Sequence, residues 1–122
     1  MAEWLGTRPE VACVLDPSLP AFPGHAVWKR DFSGASGLFS FTLAKDWPKA
    51  SLAAMLDNMR LFKMGYSWGG FESLILPQDV ARYRSATKWV APGPLLRLSI
   101  GLEDPEELIA DLAAGFERLV RA

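Results

Sequence analysis

Leu95-Leu96-Arg97-Leu98-Ser99-Ile100 runs through Gly101-Leu102-Glu103 into Asp104-Pro105-Glu106-Glu107-Leu108. The first stretch alternates as a strand does, with Leu96, Leu98 and Ile100 on one face and Leu95, Arg97 and Ser99 on the other. The second is a helix start. Asp104 stands at the N-cap, Pro105 at N1, where its missing N–H costs nothing, and Glu107 at N3, an Asp version of the capping box. Leu108, Ile109, Leu112, Phe116, Leu119 and Val120 then supply a buried stripe, while Arg118 and Arg121 suit the negative end of the helix dipole. A strand that feeds a long amphipathic helix implies a sheet with helices packed on it.

Upstream, Leu38–Leu43 alternates in the same way, with Phe39, Phe41 and Leu43 expected to face the core. Val11–Leu15 reads as a strand that holds Cys13 as a small buried thiol. Phe71–Leu76 reads as a strand stopped by Pro77. Residues 2–8 read as a helix end, His25–Arg30 as one or two helical turns, and Gln78–Ser85 as a short helix. Asp46 is a candidate cap for a further helix, with Pro48 in its first turn. Leu52, Met55, Leu56 and Met59 form the apolar stripe of that helix, which is expected to end near Leu61 or Phe62. These elements predict a single α+β domain over residues 1–122. It has a mostly antiparallel sheet of about four strands, with helices packed on one face. The other face, onto which Arg97 projects, is left for a partner.

The bulk properties exclude several classes. The chain has 122 residues, 50% hydrophobic and 22% charged, with a net charge of -1. That balance offers no basic footprint for nucleic acid. No apolar run reaches the length of a membrane span, and the N-terminus lacks the basic and hydrophobic regions of a signal peptide. Cys13 and His25 are the only residues of their kinds, so no metal-ligand spacing and no catalytic Ser-His-Asp set can be assembled. A lone cysteine fits a reducing, cytoplasmic setting.

Two features point to a site. Met64-Gly65-Tyr66-Ser67-Trp68-Gly69-Gly70-Phe71 places aromatics and a serine between glycines, between a helical run and a strand. It reads either as a ligand loop or as a bulged strand start with packed aromatics. Arg97 reads either as an ion-pair partner of a carboxylate such as Glu72 or as a bidentate clamp on a ligand carboxylate.

The stretch Lys63-Met64-Gly65-Tyr66-Ser67-Trp68-Gly69-Gly70-Phe71-Glu72-Ser73-Leu74, with Trp28-Lys29-Arg30-Asp31-Phe32, Ser36-Gly37-Leu38-Phe39-Ser40-Phe41 and Leu96–Asp104, resembles the carboxyl-terminal domain of the bacterial cystathionine β-lyases. These belong to the Cys/Met-metabolism group of pyridoxal-phosphate enzymes. The resemblance covers almost the whole chain and is specific: γ-synthases and γ-lyases usually have leucine where Trp68 stands. It implies the small domain of the aspartate-aminotransferase-like fold. It also implies a parent lyase that splits L-cystathionine into homocysteine, pyruvate and ammonia for methionine biosynthesis, with pyridoxal phosphate as the carbanion-stabilising cofactor. By this resemblance Arg97 grips the substrate α-carboxylate, Ser67 neighbours it largely through its backbone, and Tyr66 and Trp68 stand near the substrate. No catalytic or cofactor-binding residue is assigned, because Lys29, Lys45, Lys49, Lys63 and Lys88 do not match the Schiff-base lysine. The chain is therefore expected to be a fragment or truncated product. Its partner is the large domain of the same parent, itself a homotetramer, and alone it is neither a lyase nor a strong cofactor binder. The competing reading is a free-standing α+β module that binds a small amino acid or a protein partner.

Overall fold

The alternation in Leu38–Leu43 and Leu95–Ser99 does what a period of two dictates: one set of side chains is buried against helices and the other faces away. The computed structural model describes residues 1–122. In chain order the elements are α1 (Ala2–Leu5), β1 (Val11–Leu15), α2 (His25–Asp31), β2 (Leu38–Leu43), α3 (Lys49–Leu56), β3 (Leu74–Gln78), a single 3-10 turn at Val80–Arg82, β4 (Leu95–Ser99) and α4 (Pro105–Arg121). The strands form one antiparallel sheet in the order β1-β2-β4-β3. The strand that carries Arg97 is thus central.

Phe39, Phe41 and Leu43 of β2, Leu96 and Leu98 of β4 and Ile75 of β3 join Met55 and Leu56 of α3 and Leu108, Leu112, Phe116 and Leu119 of α4 in one core. Phe116 meets Phe41 edge-on, with ring centroids 6.1 Å apart. This is the expected α+β arrangement of an antiparallel sheet with helices on one face. Asp104 caps α4 as its sequence requires, its Oδ1 accepting from the N–H groups of Glu106 and Glu107. No helix is long and apolar enough to cross a membrane.

The departures are informative. Helix α3 begins at Lys49 with Pro48 as its cap residue, and Asp46 makes no capping bond. For Asp46 to cap, Trp47 would have to be helical, and a residue that precedes proline is driven out of that region. Helix α3 also ends at Leu56, short of Phe62, because α4 stops it. Asp111, buried on α4, takes the N–H of Arg60 on Oδ1 at 2.9 Å and those of Leu61 and Phe62 on Oδ2 at 2.7 and 3.2 Å. Arg118, about two turns further along the same face of α4, donates to the carbonyls of Ala54 and Met55, the last-turn acceptors of α3. Arg118 therefore serves the end of α3 rather than the end of its own helix. Ile109 is only half-buried and Val120 is exposed, so the buried stripe of α4 is narrower than its apolar residues suggest.

Strand β3 includes Pro77 instead of stopping before it. Ile75 points its N–H outward, to the carbonyl of Lys63. Two residues on, the nitrogen of Pro77 points the same way, off the sheet edge, where no ladder bond is lost. Residues 71–73 are not strand, because they bond to the segment after β4. The expected helix at 78–85 shrinks to the 3-10 turn, leaving Tyr83 exposed. Cys13 is exposed, not buried. The register shift between Val11 and Cys13 turns Cys13 to the face of Thr42, its partner on β2, while Val14 is buried in the core and Val11 packs partly against it.

Asp111→Ala should cost about 3 kcal/mol in urea unfolding, because it strands three buried or half-buried N–H groups. Asp111→Asn, which keeps one oxygen, should cost about half as much. Equal losses in the two variants would contradict this account of how α3 ends.

Candidate functional site

Arg97 sits on the sheet face away from the core, between Ser40 of β2 and Leu76 of β3. That face is not bare. Thr42, Leu76, Leu95 and Ser99 on it are buried, and the loop of residues 65–70 lies over part of it. Arg97 holds the loop by its inner half: Nη2 donates to the carbonyls of Gly65, Tyr66 and Ser67 at 3.3, 2.8 and 3.2 Å. The outer half is held by the buried Ser99, whose Oγ accepts from the N–H of Gly69 at 3.0 Å. Gly69 adopts φ 75°, the left-handed region that favours glycine, and this lets the chain reverse there.

The arrangement removes the ion-pair reading of Arg97. No carboxylate lies within ion-pair distance of it, and Glu72 is exposed and unpaired with it. Its guanidinium carbon lies 5.5 Å from the centroid of the Trp68 ring, within cation–π range. Nη2 is occupied by carbonyls, whereas Nε and Nη1 donate to no group of the protein. A cation fixed in this way, with donors free and no counter-charge, is suited to an anionic ligand. Tyr66 and Trp68 are 78% and 61% exposed, so they are not the packed aromatics of a simple strand start. The structure therefore brings Arg97, Tyr66, Ser67 and Trp68 together, with Ser67 contributing its carbonyl to the cradle.

The outgoing limb of the loop has a tie that the sequence reading missed. Ser73 is fully buried. Its N–H and Oγ–H both donate to the carboxylate of Glu103, each at 2.8 Å, and its Oγ accepts from the N–H of Gly101 at 2.8 Å. The N–H of Leu102 donates to the carbonyl of Phe71. Gly101 permits this approach, since a Cβ there would collide with the Phe71 carbonyl oxygen. The signal in the sequence was faint: a glutamate just outside the cap of α4 looks like helix-dipole charge. Partial burial pushes the Glu103 carboxyl up. The bonds from the Ser73 backbone, from its own backbone and from the Ser73 hydroxyl outweigh that and hold it below its ordinary range.

The lysines with visible partners are committed elsewhere. Lys63 Nζ donates to the carbonyl of Arg60, and Lys45 stands over the Trp47 ring. None borders the open cleft of about 260 Å³ beside Tyr66, Phe71 and Glu72. No cluster of His, Cys, Asp or Glu could hold a metal. The Arg97 cradle suits an anionic group such as a carboxylate.

Residues 1–117 match the family described as Cys/Met metabolism PLP-dependent enzyme. The chain is 54% identical to the cystathionine beta-lyase of Salmonella typhimurium over 98% of its own length and 31% of that protein. It is 50% identical to the cystathionine beta-lyase of Haemophilus influenzae, again over 98% of this chain and 31% of that one. Among solved structures it is similar to a cystathionine gamma synthase from Xanthomonas oryzae in complex with cystathionine. There the TM-score is 0.81 at 36% identity, over 98% of this chain and 32% of that one. The chain spans about a third of the length of the relatives it matches.

Two outcomes are expected. Gly69→Ala should cost about 1 kcal/mol in thermal or urea unfolding, because alanine is strained at that φ, whereas Gly70→Ala should be within about 0.5 kcal/mol of wild type. The depressed Glu103 pKa means that its contribution is complete above its ordinary value of 4.5 and is lost as pH falls through the lower folded value. A urea midpoint measured against pH should therefore fall less steeply on the acid side in Glu103→Gln than in wild type.

Proposed function

Because the chain belongs to the Cys/Met metabolism PLP-dependent enzyme family, we propose that it is the carboxyl-terminal domain of a cystathionine β-lyase. It supplies the side of the active site that grips the substrate α-carboxylate. The observation that carries this reading is Arg97: no carboxylate neutralises it, carbonyls hold Nη2, and Nε and Nη1 face no protein acceptor. An α-amino acid presents a carboxylate of the shape that this pair of donors matches bidentately. The Ser67 backbone helps to fix the guanidinium, and Tyr66 and Trp68 flank the bound side chain.

The cofactor and the lysine that binds it belong, on this proposal, to a large domain of the same parent protein. Pyridoxal phosphate supplies carbanion stabilisation there. This domain contributes orientation, which is worth rate only when both halves meet. The parent works in the cytoplasm, as a homotetramer, on L-cystathionine or a related β-substituted amino acid.

The test is to supply the upstream domain to the purified chain and assay pyruvate release from L-cystathionine in the presence of pyridoxal phosphate. The mixture should turn over where neither part does. Arg97→Lys should lower kcat/KM by about a hundredfold, because an ammonium replaces a planar two-donor grip. Pyruvate release by the chain alone would overturn the division of the site. Saturable, cofactor-independent binding of an amino acid by the chain, lost in Arg97→Ala and unaffected by the upstream domain, would favour a free-standing binding module instead.

A further inference from the structure

We propose that Glu103 is a positioning residue for the Arg97 site. Through Ser73 it clasps the outgoing limb of the glycine-aromatic loop to the segment that follows β4. The proposal rests on the reading of Arg97 as a carboxylate grip, but its geometry stands on contacts elsewhere in the fold.

The loop of residues 65–73 is suspended from residues 97–103 along its length. Arg97 takes the carbonyls of Gly65, Tyr66 and Ser67; Ser99 takes the N–H of Gly69; Leu102 bonds the carbonyl of Phe71; Glu103 and Gly101 close on Ser73. The last of these ties differs from the others in kind. It is the one in which an ionised acceptor takes two donors of a single fully buried residue. It is also the one in which bonds are chained. Because the Ser73 hydroxyl donates to Glu103, its lone pair is turned to the Gly101 N–H. Without the carboxylate, a buried Ser73 N–H has no partner, the hydroxyl is free to rotate, and Gly101 loses a fixed acceptor.

The effect reaches Arg97 through the backbone. Ser73 is where the loop returns to the sheet, one residue before β3. With that anchor released, the loop hangs on Arg97 and on neutral bonds: Gly69 to Ser99, Leu102 to the Phe71 carbonyl and Lys63 to the Ser73 carbonyl. The carbonyls that fix the guanidinium then move with the loop, and the orientation of Nε and Nη1 is no longer defined. Glu103 touches no ligand in this scheme; it acts by keeping the cradle still.

The experiment uses the 15N-labelled chain and follows hydrogen exchange at the Gly69 and Leu102 amides, which tie the loop to Ser99 and to the Phe71 carbonyl, with the Leu112 and Phe116 amides of α4 as the reference. Glu103→Gln should speed exchange at Gly69 and Leu102 by about tenfold, with α4 rates within about twofold of wild type. Ser73→Ala, which like Glu103→Gln leaves one of the two bonds between these residues, should accelerate the same two sites. Wild-type exchange at Gly69 and Leu102 in both variants would overturn the proposal. Acceleration spread evenly over α4 in both would also overturn it, since Glu103 would then support the whole fold. L-cystathionine is titrated against wild type, Arg97→Ala and Glu103→Gln, with the upstream domain present, to separate the two readings. Affinity unchanged by Arg97→Ala sinks the carboxylate grip while the exchange data still judge the clasp. Affinity lost in Arg97→Ala but unchanged in Glu103→Gln sinks the clasp alone.

Discussion

The carboxylate of Asp111 decides how this chain is laid out. A helix that starts at Lys49 on good helix formers meets two weak ones, Asp57 and Asn58, directly after Leu56, but they alone do not fix where the chain turns. It stops because Asp111, reaching across from α4, offers charged acceptors to the N–H groups of residues 60–62. Arg118 on the same helix meanwhile takes the carbonyls of Ala54 and Met55, which the N–H groups of residues 58 and 59 would serve in a longer helix. Loss of a few helical bonds is offset by bonds to ionised groups, which are individually stronger. The chain then turns early, Lys63 pairs with the outer edge of β3, and the glycine-aromatic loop is delivered to the face that carries Arg97.

The site follows from that delivery. A sheet face buried on its other side by helices provides a rigid platform, and β4, like β2, is a constrained strand that pairs on both sides. Placing the arginine there and the aromatics on the loop divides the work. The cation is held still, while Tyr66 and Trp68 remain accessible. A loop stitched to a strand and its extension by five separate residues is an expensive way to turn a corner, and a sensible way to hold a ligand group.

Much of the architecture was legible from local rules. Alternation placed Phe39, Phe41, Leu96 and Leu98 in the core, and Asp104-Pro105 marked the start of α4. The nearness of Arg97 to the loop followed from family resemblance, and its freedom from Glu72 required the structure. What could not be read depends on partners distant in sequence. Asp111 sits among Leu108 and Leu112 and looks like an interruption of the stripe until the turn it serves is seen, nearly fifty residues upstream. Pro77 looks like a strand end until β3 proves to be an edge. Ser73 and Glu103 are ordinary loop residues until folding brings them together.

The two sheet edges share a property that local geometry supplies. On β1 the register shift at Val11/Cys13 breaks the row of evenly spaced backbone groups. On β3 the outward side is occupied by Lys63 at one end and lacks a donor at Pro77 further on. Neither margin offers the regular ladder onto which another strand could add, so the sheet is closed to open-ended growth by edge pairing. Irregular flanks of this kind keep the domain from recruiting further copies of itself by strand addition.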